Sequence, residues 1–384
     1  MPYEPREDSY LLQKYVKKYA RGAVLDVGTG TGIQADAASR KSSVTAVIGV
    51  DVDAAAISYC VNTHKNMKLK FLQSDLFSNV PKRKFDTIIF NPPYLPYDAR
   101  DGEDARALSG GKNGYELLGR FLEQSRHYLK DNGVMLILFS SLTNKGMVDQ
   151  FIENNGFIAE ELAIEKYSME MLYCYKISWN PVILSLRQKR ITSITYLAHG
   201  KRGTVFVGSY KNKKVAVKMK RNDSDAVGRI KNEAQWLKKL RPLGIAPSLI
   251  LADKQFVVYE FIQGQFIEDY IITHSAAAIT KVLTHVLHKC FALDALGVSK
   301  EEMHQPYKHI IVGKKIKMID FERMHETKKP QNVTQFVQYI CSLESELIAK
   351  GIYVNVFSLR RLAQKYKKYP DLAHLKEIID ELHR

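Results

Sequence analysis

The sequence predicts an α/β chain, with a parallel sheet and flanking helices in its first half and a separate α+β domain behind it. Three observations carry this reading. Short apolar runs ending at glycine, acidic or Asn-Pro positions recur through the first 140 residues, as expected of strands buried on both faces. The second half opens instead with closely spaced β-rich runs at 191–217 before helical periodicity takes over. The charge also divides sharply. Of 57 Lys+Arg and 41 Asp+Glu, residues 1–180 hold 22 of each, so 35 basic and 19 acidic residues, and the whole net charge of +16, fall in 181–384.

At 384 residues, 45% hydrophobic and 26% charged, the chain is ample for two domains. Collagen-like, disordered and disulfide-scaffold classes are excluded by this composition. Neither an apolar run of the ~18 residues a membrane span needs nor a leader peptide is evident, so a soluble cytoplasmic protein without a membrane partner is expected. Cys60, Cys174, Cys290 and Cys341 show no ligand spacing and read as reduced thiols. The basic half could meet RNA, the ribosome or nucleotide phosphates.

Residues 23–27 read as a buried strand. It runs into Gly28-Thr29-Gly30-Thr31-Gly32, and Ala35, Ala37 and Ala38 then suit a helix. A second strand, Val44 to Val50, ends at Asp51. Glycines let a backbone approach a ligand closely, and a carboxylate about 20 residues on suits ribose hydroxyls. Asp75 follows the strand-like run Leu69 to Leu72. The strand Phe85 to Phe90 empties directly into Asn91-Pro92-Pro93-Tyr94. In open α/β sheets ligands bind where the strands end, which would gather Gly28, Asp51, Asp75 and Asn91. The two prolines stiffen the loop. The Asn91 side chain and the Pro92 carbonyl can then act as paired acceptors for a planar NH2 group, on which Tyr94 could stack.

Asp26 to Gly32, Asp51, Asp75 and Asn91 to Tyr94 together resemble a class I S-adenosylmethionine methyltransferase that modifies planar amino groups. The resemblance implies a Rossmann-like sheet with flanking helices. It also implies a cofactor site of Asp26, Gly28, Thr29, Gly30, Gly32, Asp51, Asp75, Leu76 and Asn91, with Asn91, Pro92 and Tyr94 at the chemistry. Direct methyl displacement would rest on orientation and desolvation. The acceptor stays open between a protein glutamine and the exocyclic amine of adenine or cytosine in RNA or DNA. Tyr3 to Leu12, with Glu7-Asp8-Ser9, is similar to the opening of HemK-type release-factor glutamine methyltransferases of the archaeal and eukaryotic branch. Only about 20 residues precede the first strand, too few for the helical substrate domain of the bacterial branch. The shorter branch implies a small zinc-binding activator subunit.

The polar loop from Pro96 to Gly114 reads as a lid on the substrate side. Leu118, Phe121, Leu122, Ser125 and Leu129 have helical spacing, Val134 to Phe139 is a further buried strand, and Tyr173 to Ile177 reads as the last, edge strand. These runs are core and carry no chemistry.

Residues 179–190 are expected as a linker after a first domain of 1–178. Beyond it, Ala198 to Val205 holds Gly200 and Gly203 between two strands, Lys218 ends Val215-Ala216-Val217, and Glu233 follows 15 residues later in the helical stretch Ile230 to Leu240. Val257 to Ile262 reads as a strand, and Asp320 stands in Ile316 to Glu322. The order resembles an atypical, RIO-like protein kinase over roughly residues 190–326. This implies an α+β protein-kinase-like domain, 191–357, in which Gly200, Gly203, Lys218, Glu233 and Asp320 bind ATP and magnesium. The catalytic loop departs from that pattern. Ahead of the strand Ile310 to Val312, His309 takes the Asn position and His304 the Asp position, so the carboxylate is missing. His309 could join Asp320 at a metal, and His304, Glu302 or Lys308 could replace the base. An active kinase and a nucleotide-binding scaffold both remain open. Residues 358–384 form a basic helical tail, where Arg360, Arg361, Lys365, Lys367 and Lys368 lie beside Tyr366 and Tyr369.

Overall fold

The computed structural model describes residues 4–94, 110–167, 170–199, 203–220 and 228–384. The chain divides into two compact units, Met1–Arg190 and Ile191–Arg384. Among the described residues no helix is long and apolar enough to cross a membrane. All four cysteines are free and buried.

The first unit is built on a seven-stranded sheet of order β3-β2-β1-β4-β5-β7-β6. Its strands are β1 (Gly22–Val27), β2 (Val44–Asp51), β3 (Leu69–Gln73), β4 (Phe85–Phe90), β5 (Leu129–Ser140), β6 (Phe157–Lys166) and β7 (Met171–Trp179). The first five pair in parallel, while β7 runs antiparallel between β5 and β6. Val24, Leu25 and Val27 of β1 and Ile88, Ile89 and Phe90 of β4 are all buried, which explains their unbroken apolar runs. The helix Glu7–Tyr19 packs Leu11, Leu12 and Val16 with Ala35 and Ala38 from the helix Ile33–Ser39. Strand order reverses at β1, since β2 and β3 lie on one side and β4 on the other. The crevice at the carboxyl ends of β1 and β4 is therefore the switch point where a ligand fits.

Two expectations are corrected here. Tyr173–Ile177 lies inside the sheet, and the edge is β6, whose Glu160, Glu161, Glu165 and Lys166 interrupt its apolar pattern. Charges of this kind blunt an exposed edge and disguise the strand in the sequence. Residues 179–190 are not a free linker. Asn180 caps the helix Pro181–Gln188 by accepting from the Val182 amide, and Val182, Ile183 and Leu186 are buried.

The second unit begins with a five-stranded antiparallel sheet of order β11-β12-β10-β9-β8. Its strands are β8 (Thr192–His199), β9 (Gly203–Tyr210), β10 (Lys213–Lys220), β11 (Leu249–Ala252) and β12 (Phe256–Glu260). The amphipathic helix Arg229–Leu240 buries Ile230, Ala234, Leu237 and Leu240 in the same core as Val257 and Tyr259. The 20-residue helix Ala276–Ala295 joins that core, as does a hairpin of Ile310–Gly313 with Ile316–Met318. The basic tail is not separate either. The helices Val356–Lys368 and Leu372–Leu382 place Leu359, Tyr366, Leu375, Ile378 and Leu382 in this core. Their basic residues occupy the opposite, solvated face.

Candidate active site

In the first unit the strand ends form a cavity of about 500 Å³. Gly28, Gly30 and Gly32 take φ of 62°, 54° and 81°, a left-handed conformation that side chains disfavour. A Cβ on Gly32 would lie 2.7 Å from His64 Nε2, so this position is doubly restricted. The loop is tied down from below: His64 Nε2 bonds the Thr31 carbonyl at 2.8 Å, and the Cys60 thiol donates to the Gly30 carbonyl. Asp51 governs its upper side. One carboxylate oxygen accepts from the Gly30 amide at 2.8 Å and the other from the Asp53 amide at 3.0 Å.

Asp26 lies wholly beneath the loop. Its Oδ2 accepts both the Thr29 hydroxyl at 2.6 Å and the Ala35 amide at 3.1 Å. Burial nonetheless pushes its carboxyl up to about 7, against the pull of those two bonds. A raised folded-state pKa means that the native state holds a proton the unfolded chain has released. Stability should therefore fall as pH rises from about 4 to 7 and stay low above that, by an amount on the order of 4 kcal/mol. Asp26→Asn, whose single carbonyl can take both bonds, should flatten that slope; hydrogen exchange of the β1 and β2 amides would measure it.

At the end of β4, Asn91 donates from Nδ2 to Asp8 Oδ2 at 2.8 Å. This bond fixes which way the amide faces. Its Oδ1 is buried without a hydrogen-bond partner, as is Gln34 Oε1, and both residues line the cavity. An orphaned buried acceptor costs about 1–3 kcal/mol, so it marks a place where a donor belongs. Pro92, Pro93 and Tyr94 line the same wall, and Tyr94 packs against the core. Asp75 and Leu76 lie across from them after β3. Asp75 pairs with Arg120 at 2.8 Å, and Leu76 holds a left-handed φ of 47°.

The family description "Methyltransferase small domain" matches residues 7–164. A Methanocaldococcus jannaschii protein assigned as a protein N5-glutamine methyltransferase is 39% identical over 175 residues, covering 44% of this chain and 88% of that protein. The chain belongs to this methyltransferase family. Its amino-terminal half is a HemK-like small domain and an S-adenosylmethionine-dependent methyltransferase. The release factor glutamine methyltransferase of Rhodopirellula baltica is 36% identical, over 35% of this chain and 49% of that enzyme. The chain spans about half the length of such bacterial relatives. The Encephalitozoon cuniculi Mtq2–Trm112 complex, described as responsible for methylating eRF1, is 25% identical over 46% of this chain and 98% of that one, with a TM-score of 0.38.

The methyltransferase cavity fits its cofactor chemically. Asp51 would hold the ribose, and exposed Val52 with Asp75 and Leu76 would hold the base. Arg6, Ser9 and Gln34, which also line the cavity, would take the amino-acid end. The resemblance implies that Glu7-Asp8-Ser9 borders the cofactor, but Arg6, Val52, Gln34 and the bond from Asn91 to Asp8 were not legible, because only the fold brings these segments to one cavity. The loop expected as a lid lies, for 95–109, outside the described residues.

The second unit gathers charged groups around Lys218. Its ammonium, almost wholly buried, lies 2.9 Å from Glu233, 2.8 Å from Asp320 and 3.3 Å from Glu322. Burial works against this charge, but the three carboxylates outweigh it and hold the Lys218 pKa well above the usual lysine value. Carboxylate oxygens of Glu233, Asp320 and Glu322 lie within 4.8 Å of one another, close enough for one ion, yet the Lys218 ammonium already occupies their midst. Gly203 opens β9, where a Cβ would lie 2.8 Å from the Met219 carbonyl; Gly200 lies outside the described residues. Lys218→Met would strand Glu233 in the interior and should lower the stability of this unit by about 3–5 kcal/mol, read by denaturant unfolding. Adding Glu233→Gln should recover most of that loss.

The catalytic-loop expectations divide. His304 is exposed, and among the described residues no contact ties it to Asp320. Glu302 instead turns inward at a left-handed φ of 71°, with its carboxylate 3.3 Å from His309 Nε2 and 2.9 Å from Arg323. Position along the motif pointed to His304, whereas the backbone turn at Glu302 decides which side chain faces in. Lys300 was missed altogether: it is buried, donates to the Asp320 carbonyl at 2.7 Å, and burial lowers its pKa to about 8.

Proposed function

We propose that the first unit methylates the side-chain amide of a glutamine in a translation release factor. The observation that carries this is Asn91, whose Oδ1 is buried and unpartnered at the cavity while Asp8 holds its Nδ2. Asn91 Oδ1 and the Pro92 carbonyl would accept the two hydrogens of a planar amide nitrogen, aiming the lone pair that stands perpendicular to that plane at the incoming methyl group. Tyr94 would close one face, excluding water. When bound, S-adenosylmethionine would supply an electrophilic sulfonium methyl, its sulfur keeping the electron pair of the broken S–C bond as a thioether, and the methylated nitrogen would release its surplus proton to bulk solvent once the site opens. No general base is needed before attack.

The names of the Rhodopirellula and Methanocaldococcus relatives support a glutamine acceptor. The even charge of residues 1–180 does so more weakly, since a grip on nucleic acid needs neutralising cations. The alternative acceptor is an adenine or cytosine amine, with the basic half as grip. A tritiated-methyl assay offering release factor, ribosomal RNA and duplex DNA, with and without a small zinc-binding partner subunit, separates them. Label on the release factor supports the proposal; label on nucleic acid alone refutes it.

For the second unit we propose an ATP-binding, kinase-like domain, on the strength of the Lys218–Glu233 pair beside Asp320. Lys218 would meet phosphate oxygens, and Glu233 holds it ready. Glu322, within 3.3 Å of the same ammonium, adds a third carboxylate that a polyphosphate must compete with. Binding of a fluorescent ATP analogue that Lys218→Met abolishes would support this; unchanged binding would overturn it.

A further inference from the structure

We propose that His309 and Asp320 form a site for a first-row divalent transition ion in preference to magnesium. The two residues are brought together by the hairpin Ile310–Gly313 and Ile316–Met318, which His309 precedes and Asp320 follows. The His309 carbonyl accepts from the Ile319 amide at 2.9 Å, clamping the two ends. His309 Nε2 lies 3.3 Å from the Glu302 carboxylate, a neighbour that favours the tautomer with its proton on Nε2 and the lone pair on Nδ1. That Nδ1 is buried and has no hydrogen-bond partner. It faces Asp320 Oδ2 at 4.0 Å, too far for a hydrogen bond.

Two acceptors converging on one gap repel each other unless a cation lies between them. Ligands about 2.1 Å from one ion can be at most ~4.2 Å apart, so the observed gap admits a shared ion with little movement. The Lys218 ammonium is on Asp320 Oδ1, which leaves Oδ2 to the ion. Asp320 is 37% exposed at its side chain, which gives an ion and its waters access. Glu302, behind the imidazole, has the place of the carboxylate that usually orients a metal-bound histidine. Magnesium takes hard oxygen ligands and seldom imidazole, whereas first-row transition ions accept both. A site of one imidazole and one carboxylate thus selects for the latter. The ion would sit where the polyphosphate of the proposed ATP site is expected, and the inference rests on that reading only for its use, not for its ligands.

Manganese titrated into the full-length protein without nucleotide, followed by electron paramagnetic resonance, tests this. Bound Mn²⁺ should show nitrogen modulation from one imidazole in pulsed spectra, and a tenfold excess of Mg²⁺ should not displace it. Asp320→Asn should abolish this binding, and Glu302→Gln should weaken it by about 10–100-fold. His309→Asn, which keeps a ligand of similar reach, should remove the nitrogen signal and let Mg²⁺ compete. Absence of the nitrogen signal, displacement by equimolar Mg²⁺, or an unaltered His309→Asn protein would overturn the proposal. Failure of the ATP analogue to bind while Mn²⁺ still shows the imidazole would fault the nucleotide reading and leave the metal site standing.

Discussion

Asn91→Ala should lower methyl transfer by about 10²–10³-fold while leaving affinity for S-adenosylmethionine within a factor of ~3. The asymmetry follows from geometry. Asn91 Oδ1 has no partner in the free protein, so its interaction is made only when an acceptor amide arrives. Its loss removes the bond that orients the nitrogen lone pair, and small errors in attack angle are expensive in displacement chemistry. Asp8→Ala probes the same device at one remove. Without Asp8 the amide can present nitrogen in place of oxygen, and a fall on the order of tenfold is expected, within the range of one lost charge-assisted hydrogen bond. Single-turnover transfer to the proposed release-factor acceptor, beside calorimetric binding of S-adenosylmethionine, measures both. Equal loss of binding and transfer in Asn91→Ala would show that the residue holds the cofactor, not the acceptor.

Asp51→Ala should show the opposite split, with cofactor affinity lowered by about 10²-fold and single-turnover transfer at saturation much less affected. Asp51 serves two functions. Its carboxylate accepts from the Gly30 and Asp53 amides, and it lines the cavity where a ribose would bind. Alanine removes the ribose acceptors and also leaves two backbone donors without partners. Charge-assisted bonds of this kind contribute roughly 1.5–3 kcal/mol each, so the loss of one or two accounts for the size expected. Asp51→Asn, which keeps one acceptor oxygen, should fall between alanine and the native protein. If both substitutions leave the calorimetric Kd unchanged, the cofactor does not lie along Gly28–Gly32.

The parts of this protein that are legible in the sequence are those where chemistry is written locally. Gly28, Gly30 and Gly32 must be glycines because the turn needs positive φ, and Asp51 stands one strand later in a fixed relation to them. Asn91-Pro92-Pro93-Tyr94 is legible for the same reason, since two prolines and a strand end stiffen the loop whatever surrounds it. Lys218, Glu233 and Asp320 are singled out by their order along the chain, and Lys218 pairs with the other two; its third ion pair, to Glu322, is not part of that order.

What the sequence could not say depends on contacts between distant segments. Asp8 and Asn91 are 83 positions apart, and nothing in either neighbourhood announces their bond. The placing of β7 inside the sheet depends on a charged β6 finding the edge, where solvent on one side tolerates its glutamates. The tail helices, whose apolar residues 372–382 have helical spacing and whose basic cluster reads as a solvated face or a polyanion contact, bury Leu359, Tyr366 and Ile378, because one apolar stripe is enough to join a core and the charges then face water. His304 and Glu302 differ most instructively. Spacing alone favoured His304, but at a left-handed turn it is the Glu302 carboxylate that meets the His309 ring. Motif order and strand ends therefore determined the Rossmann-like fold of the first unit and where its strand-end cavity would lie. Backbone handedness and long-range burial, which no local pattern encodes, decided which carboxylate orients Asn91 and which one stands behind His309.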